Sequence, residues 1–278
     1  MSRKLHIVPG LNDCVNGMAV VARLIAKAHG DSEVVDLNHG LHRIRGNDVA
    51  EIWVHGMWLP KEWLACWETL KRGKRLVRML HGCVDPVRLK YHGWRKWFVG
   101  PIERWCLRRC DRIVATCEAE KGWIQSYLGK HCPPIEVTDI KRFFNLNPVN
   151  PVNPVRKKLH LLYLGRRHPL KGLEFLEAAV KAIEGVELRV VSNAFGEEKD
   201  KVWDWCDVLV LPTLSENFGL VIAEALERGK RVITTDGAPA WGDGNTYGGR
   251  LVYLKGYRDG TSVDRCRLLA NAIASVCY

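Results

Sequence analysis

The chain has 278 residues, 47% of them apolar, which is enough for two domains of ordinary size or one large domain. No apolar run reaches about 18 residues, so no segment is predicted to span a membrane. The formal net charge of +11 favours a polyanionic partner: nucleic acid, an anionic membrane surface or a phosphorylated substrate.

The start of the chain leads directly into a strand-like segment and lacks the apolar region and cleavage site of a signal peptide. We therefore expect a cytoplasmic protein. Most of the ten cysteines stand apart in the sequence, and only Cys106 and Cys110 are close, with no second pair to complete a zinc site. They are expected to be reduced and to pack as small apolar side chains.

In the first half of the chain, short β-branched runs alternate with helical stretches, as in a wound parallel sheet. The predicted strands are residues 4–8, 33–37, 51–54, 75–80, 112–116 and 135–138. The predicted helices are residues 17–28, 60–71, 93–109 and 119–128.

Residues 147–155 repeat Asn-Pro-Val three times. Proline at every third position removes backbone donors and favours an extended polyproline II conformation. We interpret the repeat as a semi-rigid connector between an N-terminal domain, residues 1–150, and a C-terminal domain, residues 151–278. One long surface loop within a single domain is the alternative.

The alternation begins again after the repeat. The predicted strands are residues 159–164, 187–191, 208–211, 231–234 and 251–254, and the predicted helices are residues 172–183, 219–228 and 263–275. Two such domains would leave a cleft between them, and ligands of these folds bind outside the carboxyl ends of the strands. Loops that directly follow a strand are therefore the expected sites of chemistry.

The loop after strand 159–164 carries cations and glycines just before a helix. Glycine lets the backbone approach a ligand, while Arg166 and Lys171 can hold a diphosphate by forked and point-charge contacts. The glycine and lysine spacing of a P-loop is absent. Taken by itself, the segment could also be an ordinary basic turn.

The loop after strand 208–211 leads into a strongly apolar helix that Gly219 opens. Unpaired amides and the helix dipole make such an N-terminus an anion site. Glu216 precedes the helix, and Glu224 lies about two turns further on. Two carboxylates at this spacing can accept hydrogen bonds from hydroxyls at both ends of a nucleotide sugar. Singly, Glu216 could be a helix-capping acid and Glu224 a solvated helical side chain.

Together these loops resemble the retaining family 4 glycosyltransferases of GT-B fold. The matching residues are Gly165-Arg166, Lys171-Gly172 and Glu216-Asn217-Phe218-Gly219, with Glu224 completing the Glu-x7-Glu signature. The resemblance is close over residues 161–235. It implies an α/β fold of two facing Rossmann-like domains with parallel sheets and an interdomain cleft, in a chain that is short for the family.

The resemblance also implies roles for these residues. Arg166 and Lys171 would hold the donor diphosphate, Glu216 would bind hydroxyls of the transferred sugar, and Glu224 would bind the ribose hydroxyls. The other donor-binding candidates in this half are Gly165, Asn217, Phe218, Gly219 and Leu220.

The first half resembles the same family more weakly. His81, after strand 75–80, matches the family histidine near the donor sugar and diphosphate, although it would otherwise be an ordinary loop histidine. Gly17 matches the place of the family's glycine loop, with Gly10 and Gly17 replacing the usual pair. His55-Gly56 is a second candidate, expected on the acceptor side.

The segment from His81 to Glu120 looks like lipopolysaccharide-core and capsule glycosyltransferases in particular. Its interleaved basic and aromatic residues are Arg88, Lys90, Trp94, Arg95, Lys96, Trp97, Phe98, Arg104, Trp105, Arg108 and Arg109. This pattern suits peripheral contact of residues 88–110 with an anionic membrane, or a phosphorylated acceptor. A helix that packs its tryptophans on the sheet is the alternative.

The family resemblance sets further expectations. Residues 192–206 are few where relatives carry another strand and helix near the nucleotide base, so Asn193 is the one candidate there. Because no Asp-x-Asp motif occurs, no metal is expected, and Arg166, Lys171 and a helix N-terminus would compensate the diphosphate charge. No separate cofactor is expected. The donor would be a UDP- or GDP-linked sugar, the acceptor a surface glycan or glycolipid, and transfer would retain the anomeric configuration.

Other functions remain open on the sequence. An epimerase or phosphorylase of the same fold would also bind a sugar and phosphate. A basic nucleic-acid- or membrane-binding module without catalysis fits the charge and the eleven tryptophans. No RNP, KH or helix-turn-helix signature is present, so nucleic acid is not the expected partner.

Overall fold

A computed structural model describes residues 3–11, 17–91, 93–146, 158–192 and 194–277. The chain divides into two compact units, Met1–Ile140 and Lys141–Tyr278. Each unit is built on one parallel β-sheet with helices between its strands. The predicted fold of two Rossmann-like α/β halves is confirmed. The Asn-Pro-Val repeat lies outside the described residues.

The first unit contains a six-stranded sheet in the order β2-β1-β3-β4-β5-β6. Its strands are β1 (Arg3–Val8), β2 (Ser32–Asp36), β3 (Val49–His55), β4 (Arg75–Met79), β5 (Arg112–Ala115) and β6 (Ile135–Val137). Its helices are α1 (Gly17–His29), α2 (Leu37–Ile44), α3 (Pro60–Lys71), α4 (Pro86–Lys90), α5 (Gly93–Leu107) and α6 (Glu118–Leu128).

The second unit contains a five-stranded sheet in the order β11-β10-β9-β7-β8. Its strands are β7 (Leu159–Leu164), β8 (Val186–Val191), β9 (Val208–Leu211), β10 (Arg231–Thr235) and β11 (Leu251–Leu254). Its helices are α7 (Leu173–Val180), α8 (Gly196–Trp205), α9 (Leu220–Glu227) and α10 (Ser262–Cys277).

The central strands of both sheets are buried on both faces. In β3, the consecutive residues Ile52, Trp53, Val54 and His55 are each at most 3% exposed. In β9, all four residues from Val208 to Leu211 are buried. Strands of parallel sheets are covered by helices on both sides, which is why they read as nearly continuous apolar runs.

Each sheet has a point where the direction of strand addition reverses. Strand β1 lies between β2 and β3, and β7 lies between β8 and β9. The loops that leave neighbouring strands here depart to opposite faces, which opens a crevice at the carboxyl ends of the strands. In the second unit, this point falls between the two loops with the strongest family resemblance.

Each predicted strand and helix is present, but the structure adds elements that we did not predict. Leu37, predicted to end a strand, instead begins α2. The Asp36 carboxylate accepts a 2.9 Å hydrogen bond from the Asn38 amide and so caps this helix. Helix α8 lies within residues 192–206, the stretch that is short where relatives carry another strand and helix. The sequence of α8 is mostly charged, so it shows little of the apolar periodicity that identifies a helix. Only Val202 and Trp203 are buried.

No helix in the described part of the chain combines the length and the apolar character that crossing a bilayer requires. The cysteines at positions 66, 83, 106, 110, 117, 132, 206 and 266 are free thiols.

Candidate functional site

The loops after β7 and β9 are joined to each other by hydrogen bonds. The Leu170 carbonyl accepts from the Leu214 amide at 2.9 Å and from the Thr213 hydroxyl at 3.0 Å. Gly172 has φ +62°, and a Cβ there would lie 2.1 Å from the Pro212 carbonyl oxygen. No other residue type fits this contact without moving one of the loops. The fold therefore brings the two predicted site loops together.

The loop after β10 supports the same arrangement, although we did not predict a role for it. The Gly237 carbonyl accepts a 2.7 Å hydrogen bond from the Glu216 amide. The Thr235 hydroxyl donates to the Thr213 carbonyl and accepts from the Gly237 amide at 3.2 Å. A Cβ on Gly237 would lie 2.0 Å from the Thr213 oxygen. Three consecutive loops of the sheet thus hold Glu216 in place.

Lys171 and Glu216 form an ion pair across these loops. Their side chains are 16% and 18% exposed, so the pair is partly desolvated while a ligand can still reach it. An ammonium group has three donors, so Lys171 can hold Glu216 and a phosphate oxygen at the same time. The second carboxylate oxygen of Glu216 accepts a 3.0 Å hydrogen bond from the Asn217 amide.

Arg166 and Gly165 lie at the exposed side of the loop after β7. The Arg166 carbonyl accepts a 2.9 Å hydrogen bond from the Tyr163 hydroxyl, while its side chain is exposed. A Cβ on Gly165 would lie 3.7 Å from that hydroxyl, which is an ordinary contact. The fold itself therefore does not require glycine at position 165.

Helix α9 begins at Leu220, and Gly219 is its N-cap residue with φ +72°. Glu216 is therefore not the cap of this helix. The Phe218 ring is buried between Phe144 and Trp241, with ring centroids at 5.9 and 5.2 Å, and its carbonyl accepts from the Trp241 indole. The side chain of Phe218 serves the core and anchors the turn that precedes the helix.

Glu224, on α9, forms an ion pair with Lys199 of α8 at 2.7 Å. Both side chains are a little more than one-quarter exposed. Glu224 is thus neither buried nor an isolated solvated acid. Lys199 was missed because α8 itself was missed, and it adds a cation beside the acid assigned to the ribose. Asn193 lies outside the described residues.

In the first unit, His81 is one end of a row of buried histidines. His6 Nδ1 lies 3.0 Å from His55 Nε2, and His55 Nδ1 lies 2.9 Å from His81 Nε2. Burial lowers the pKa of His6 and of His81 to about 3, and it holds the pKa of His55 well below the usual range. All three imidazoles are therefore neutral at pH 7. His55, expected near the acceptor, is instead completely buried.

Hydrogen bonds to the Glu120 carboxylate hold the turn that carries His81. His81 and Gly82 have φ of +53° and +71°. One oxygen of the buried Glu120 carboxylate accepts from the Gly82 amide at 2.5 Å, and the other accepts from the Thr116 amide and hydroxyl at 2.8 and 2.7 Å. Burial raises the pKa of Glu120. Gly17 is the exposed first residue of α1, and residues 12–16 before it lie outside the described part.

One face of α5 exposes a stripe of large apolar side chains. They are Trp94, Trp97, Phe98, Ile102 and Trp105, between 39% and 75% exposed, and we call them the apolar stripe. The opposite face is held by the buried Glu103, which accepts from the Trp58 amide at 2.6 Å and the Trp63 indole at 2.7 Å. The alternative in which α5 packs these tryptophans on the sheet is therefore wrong.

Basic groups accompany the stripe. The Arg95 guanidinium lies 5.2 Å from the Trp94 ring, and that of Arg109 lies 4.5 Å from the Trp105 ring. The single acid of α5, Glu103, is buried, so the exposed face of the helix carries only positive charge.

Two glycosyltransferase family models match the chain, and the second begins within the Asn-Pro-Val repeat. Residues 34–146 match Glycosyltransferase Family 4, and residues 149–271 match Glycosyl transferases group 1. None of the curated proteins resembles the sequence significantly.

Several solved structures share the fold. Sucrose-phosphate synthase from Thermosynechococcus elongatus has a TM-score of 0.72 at 16% identity, over 100% of this chain and 90% of that one. Anabaena HepE in complex with UDP and glucose has a TM-score of 0.67 at 15% identity, over 98% and 90%. The α,α-trehalose 6-phosphate synthase from Burkholderia multivorans has a TM-score of 0.61 at 11% identity, over 99% and 90%. Identities this low establish the fold alone.

Proposed function

We propose that the chain is a retaining, metal-independent glycosyltransferase of GT-B fold that uses a nucleotide diphosphate sugar, because both of its halves match glycosyltransferase models. The observation that carries the proposal is the contact between Lys171 and Glu216 at the carboxyl ends of adjacent strands. A cation suited to phosphate and an acid suited to sugar hydroxyls are held side by side on a rigid support.

The donor would lie along the loops after β7 and β9. Lys171 and the exposed Arg166 would neutralise the diphosphate, and the first amides of α9 would add donors. Glu216 would accept hydrogen bonds from hydroxyls of the transferred sugar. Compensation by these fixed charges makes a divalent metal unnecessary in this proposal. Gly165, Asn217, Gly219 and Leu220 would line the same path.

The nucleoside would lie near the pair formed by Glu224 and Lys199. Glu224 can accept hydrogen bonds from both ribose hydroxyls, and the ion pair with Lys199 orients its carboxylate. Uridine and guanosine diphosphate sugars are the proposed donors, and the UDP and glucose bound by Anabaena HepE favour the uridine form.

The acceptor would attack the sugar on the same face from which the diphosphate leaves. In this mechanism the bond from the anomeric carbon to the diphosphate breaks as the acceptor hydroxyl approaches from that side. The leaving phosphate oxygen takes the acceptor's proton, while Lys171 and Arg166 stabilise the charge that develops on it. A trapped glycosyl-enzyme, with activity lost on replacing the carboxylate that carries it, would contradict this mechanism.

We further propose that the acceptor is a surface glycan or glycolipid and that the apolar stripe brings the enzyme to an anionic membrane. Tryptophan and phenylalanine rings suit the headgroup region, and the neighbouring arginines suit acidic lipids. The helix exposes rings and cations together, with no exposed acid to repel the lipid.

The test is calorimetric titration with UDP, GDP and their hexose derivatives in EDTA, followed by product analysis with a glycolipid acceptor. We expect saturable binding of one nucleotide class. We also expect the transferred sugar in the product to have the same anomeric configuration as in the donor. An inverted product, or transfer that needs added Mg²⁺, would contradict the proposal. Interconversion of donor sugars without an acceptor would indicate an epimerase instead.

A further inference from the structure

The three buried histidines of the first unit lie on a diagonal across its sheet. In the pairing of β1 with β3, His6 is opposite Trp53, and in the pairing of β3 with β4, His55 is opposite Met79. Each step therefore moves two residues toward the carboxyl end of the next strand. Because residues two apart share a face, the imidazoles follow one face of the sheet and end at the His81 turn.

The hydrogen bonds between the rings make their tautomers interdependent. A neutral imidazole has one N–H donor and one bare acceptor nitrogen. Since His55 uses both nitrogens within the row, it must donate to one neighbour and accept from the other. Only two arrangements satisfy both bonds: all three rings carry their proton on Nδ1, or all three carry it on Nε2.

The free end of the row distinguishes these arrangements. His6 Nε2 is buried and has no hydrogen-bond partner among the described residues. The Nε2–H arrangement would bury an unpaired N–H group there, whereas the Nδ1–H arrangement leaves only a bare lone pair on the His6 ring, which stacks on the Trp53 ring with centroids 4.9 Å apart. Unpaired buried donors are rarer in proteins than under-used acceptors. The row therefore favours protons on Nδ1.

We propose that His6 and His55 are positioning residues that hold His81 as its Nδ1–H tautomer, so that a neutral His81 offers a hydrogen-bond donor to an anionic ligand oxygen at the carboxyl end of β4. This rests on the proposed function only in the identity of the ligand. His55 Nδ1–H occupies His81 Nε2, which leaves Nδ1 as the ring nitrogen of His81 that the row does not use.

The arrangement supplies a donor without a charge. His81 sits in a buried turn where an imidazolium is strongly disfavoured, as the lowered pKa of each ring shows. A neutral ring of unfixed tautomer would present a repulsive lone pair to an anionic oxygen for part of the time. The row removes this alternative, because reversing His81 requires moving the protons of all three rings.

The direct test is ¹H–¹⁵N correlation NMR of the full chain labelled with ¹⁵N-histidine at pH 7.5. Each ring nitrogen appears as protonated or bare, and single histidine variants assign the signals. We expect protonated Nδ1 and bare Nε2 on His6, His55 and His81. Protonated Nε2 on any of the three would overturn the proposal. This result does not depend on whether a nucleotide sugar binds, so it is separate from the test of function.

Variants at position 6 extend the test to the ligand. In His6→Asn, the side-chain amide can donate from the place of Nδ1 and should preserve the His81 tautomer. His6→Leu removes that donor and should give a mixed tautomer at His81, with kcat reduced several-fold more than KM changes. His29→Leu, beside His6 but outside the row, is the matched control and should change neither.

Equal kinetics for His6→Leu and His6→Asn, with nucleotide binding intact, would overturn the role of His6. Unfolding of His6→Leu would be visible in the same spectra. In that case the His55→Gln variant gives the second measurement, because its amide reaches the place of Nε2 rather than Nδ1 and leaves His81 Nε2 without its donor while conserving polarity. An unchanged His81 tautomer in His55→Gln would likewise contradict the proposal.

Discussion

The ammonium group of Lys171 touches the carboxylate of Glu216, although the two residues are 45 positions apart and on different loops. The contact depends on the close approach of these loops at Gly172. It also means that the residue proposed for the diphosphate orients the residue proposed for the sugar. Loss of Lys171 should therefore affect both halves of the donor.

Replacing Lys171 by alanine should weaken nucleoside diphosphate binding by about 10- to 100-fold, because a hydrogen bond to a charged group contributes about 1.5–3 kcal/mol. Calorimetric titration with UDP and GDP measures this. Arg167→Ala is the matched control, since Arg167 lies on the same loop but pairs with Glu177 at 3.4 Å. Equal weakening in both variants would point to net charge rather than to a specific contact.

Glu216→Gln and Glu224→Gln should differ in which part of the donor they affect. Glu216→Gln should reduce kcat with the nucleotide sugar by about 10-fold or more while leaving the affinity for free UDP or GDP nearly unchanged. Glu224→Gln should weaken the free nucleotide by about 10-fold. Steady-state kinetics and titration separate the two effects, and the same pattern in both variants would contradict the proposed orientation of the donor.

Gly172→Ala should destabilise the second unit far more than Gly185→Ala. Both glycines have positive φ, +62° and +75°, but only the first has a backbone oxygen in the path of a Cβ. We expect a loss of about 1–2 kcal/mol for Gly185→Ala from its conformation and about 3 kcal/mol or more for Gly172→Ala. Urea unfolding measures both, and similar losses would mean that the loops can separate at little cost.

The histidine row should make the folded protein sensitive to acid. The folded-state pKa of His6 and of His81 is about 3, below the ordinary value of 6.5, so the unfolded chain binds these protons first. The stability they contribute is complete above pH 6.5 and is lost as pH falls toward 3, at about 1.4 kcal/mol per pH unit for each ring. Urea unfolding between pH 7.5 and 5 should show this slope.

The variant His6→Asn isolates the contribution of His6 to this pH dependence of the unfolding free energy. It should lower the pH dependence by about 1.4 kcal/mol per unit relative to the unaltered chain. Comparing the two chains removes the contribution of buried acids such as Glu62. Burial raises its pKa to about 8, so its stabilisation is present below pH 4.5 and is lost as pH rises toward 8. Parallel curves for the two chains would contradict a lowered His6 pKa.

The double substitution Trp97→Ser, Phe98→Ser should remove most binding to vesicles that contain acidic phospholipid. These two rings are the most exposed of the apolar stripe, at 75% and 66%. Vesicle co-sedimentation gives the bound fraction. Val263→Ser, on α10 and 76% exposed, is the matched control and should bind as the unaltered chain does. Equal binding by all three would mean that the stripe does not meet the lipid.

The strands and the loops that follow them could be predicted because their signals are local. The mostly apolar runs at 159–164 and 208–211 are short and are followed directly by Gly165 and Pro212, and neighbouring parallel strands deliver their loops to one edge of the sheet. This was enough to expect Lys171 and Glu216 in one place. The third loop, with Asp236 and Gly237 after Thr235, carries no cation and matches neither of the two motifs, so it gave no signal of its own.

Helix α8 and the histidine row could not be predicted, for different reasons. Helix α8 is mostly charged, so its apolar period is weak, and Lys199 was lost with it. The row joins residues 49 and 26 positions apart, so it depends on strand register. Alternation within β1 and β3 does not reveal that register, because both faces of these strands are buried. For the same reason, His55 looked like an accessible loop residue although it is inside the sheet.

The apolar stripe also bears on the behaviour of the purified protein away from lipid. Grouped rings of this size favour self-association in water, whereas the net charge of +11 keeps copies apart. Salt weakens the repulsion, with a screening length of about 10 Å at 0.1 M, and strengthens rather than weakens the attraction between rings. The protein should therefore be most dispersed in dilute buffer and cluster as salt is added, so a conventional high-salt purification would promote its aggregation.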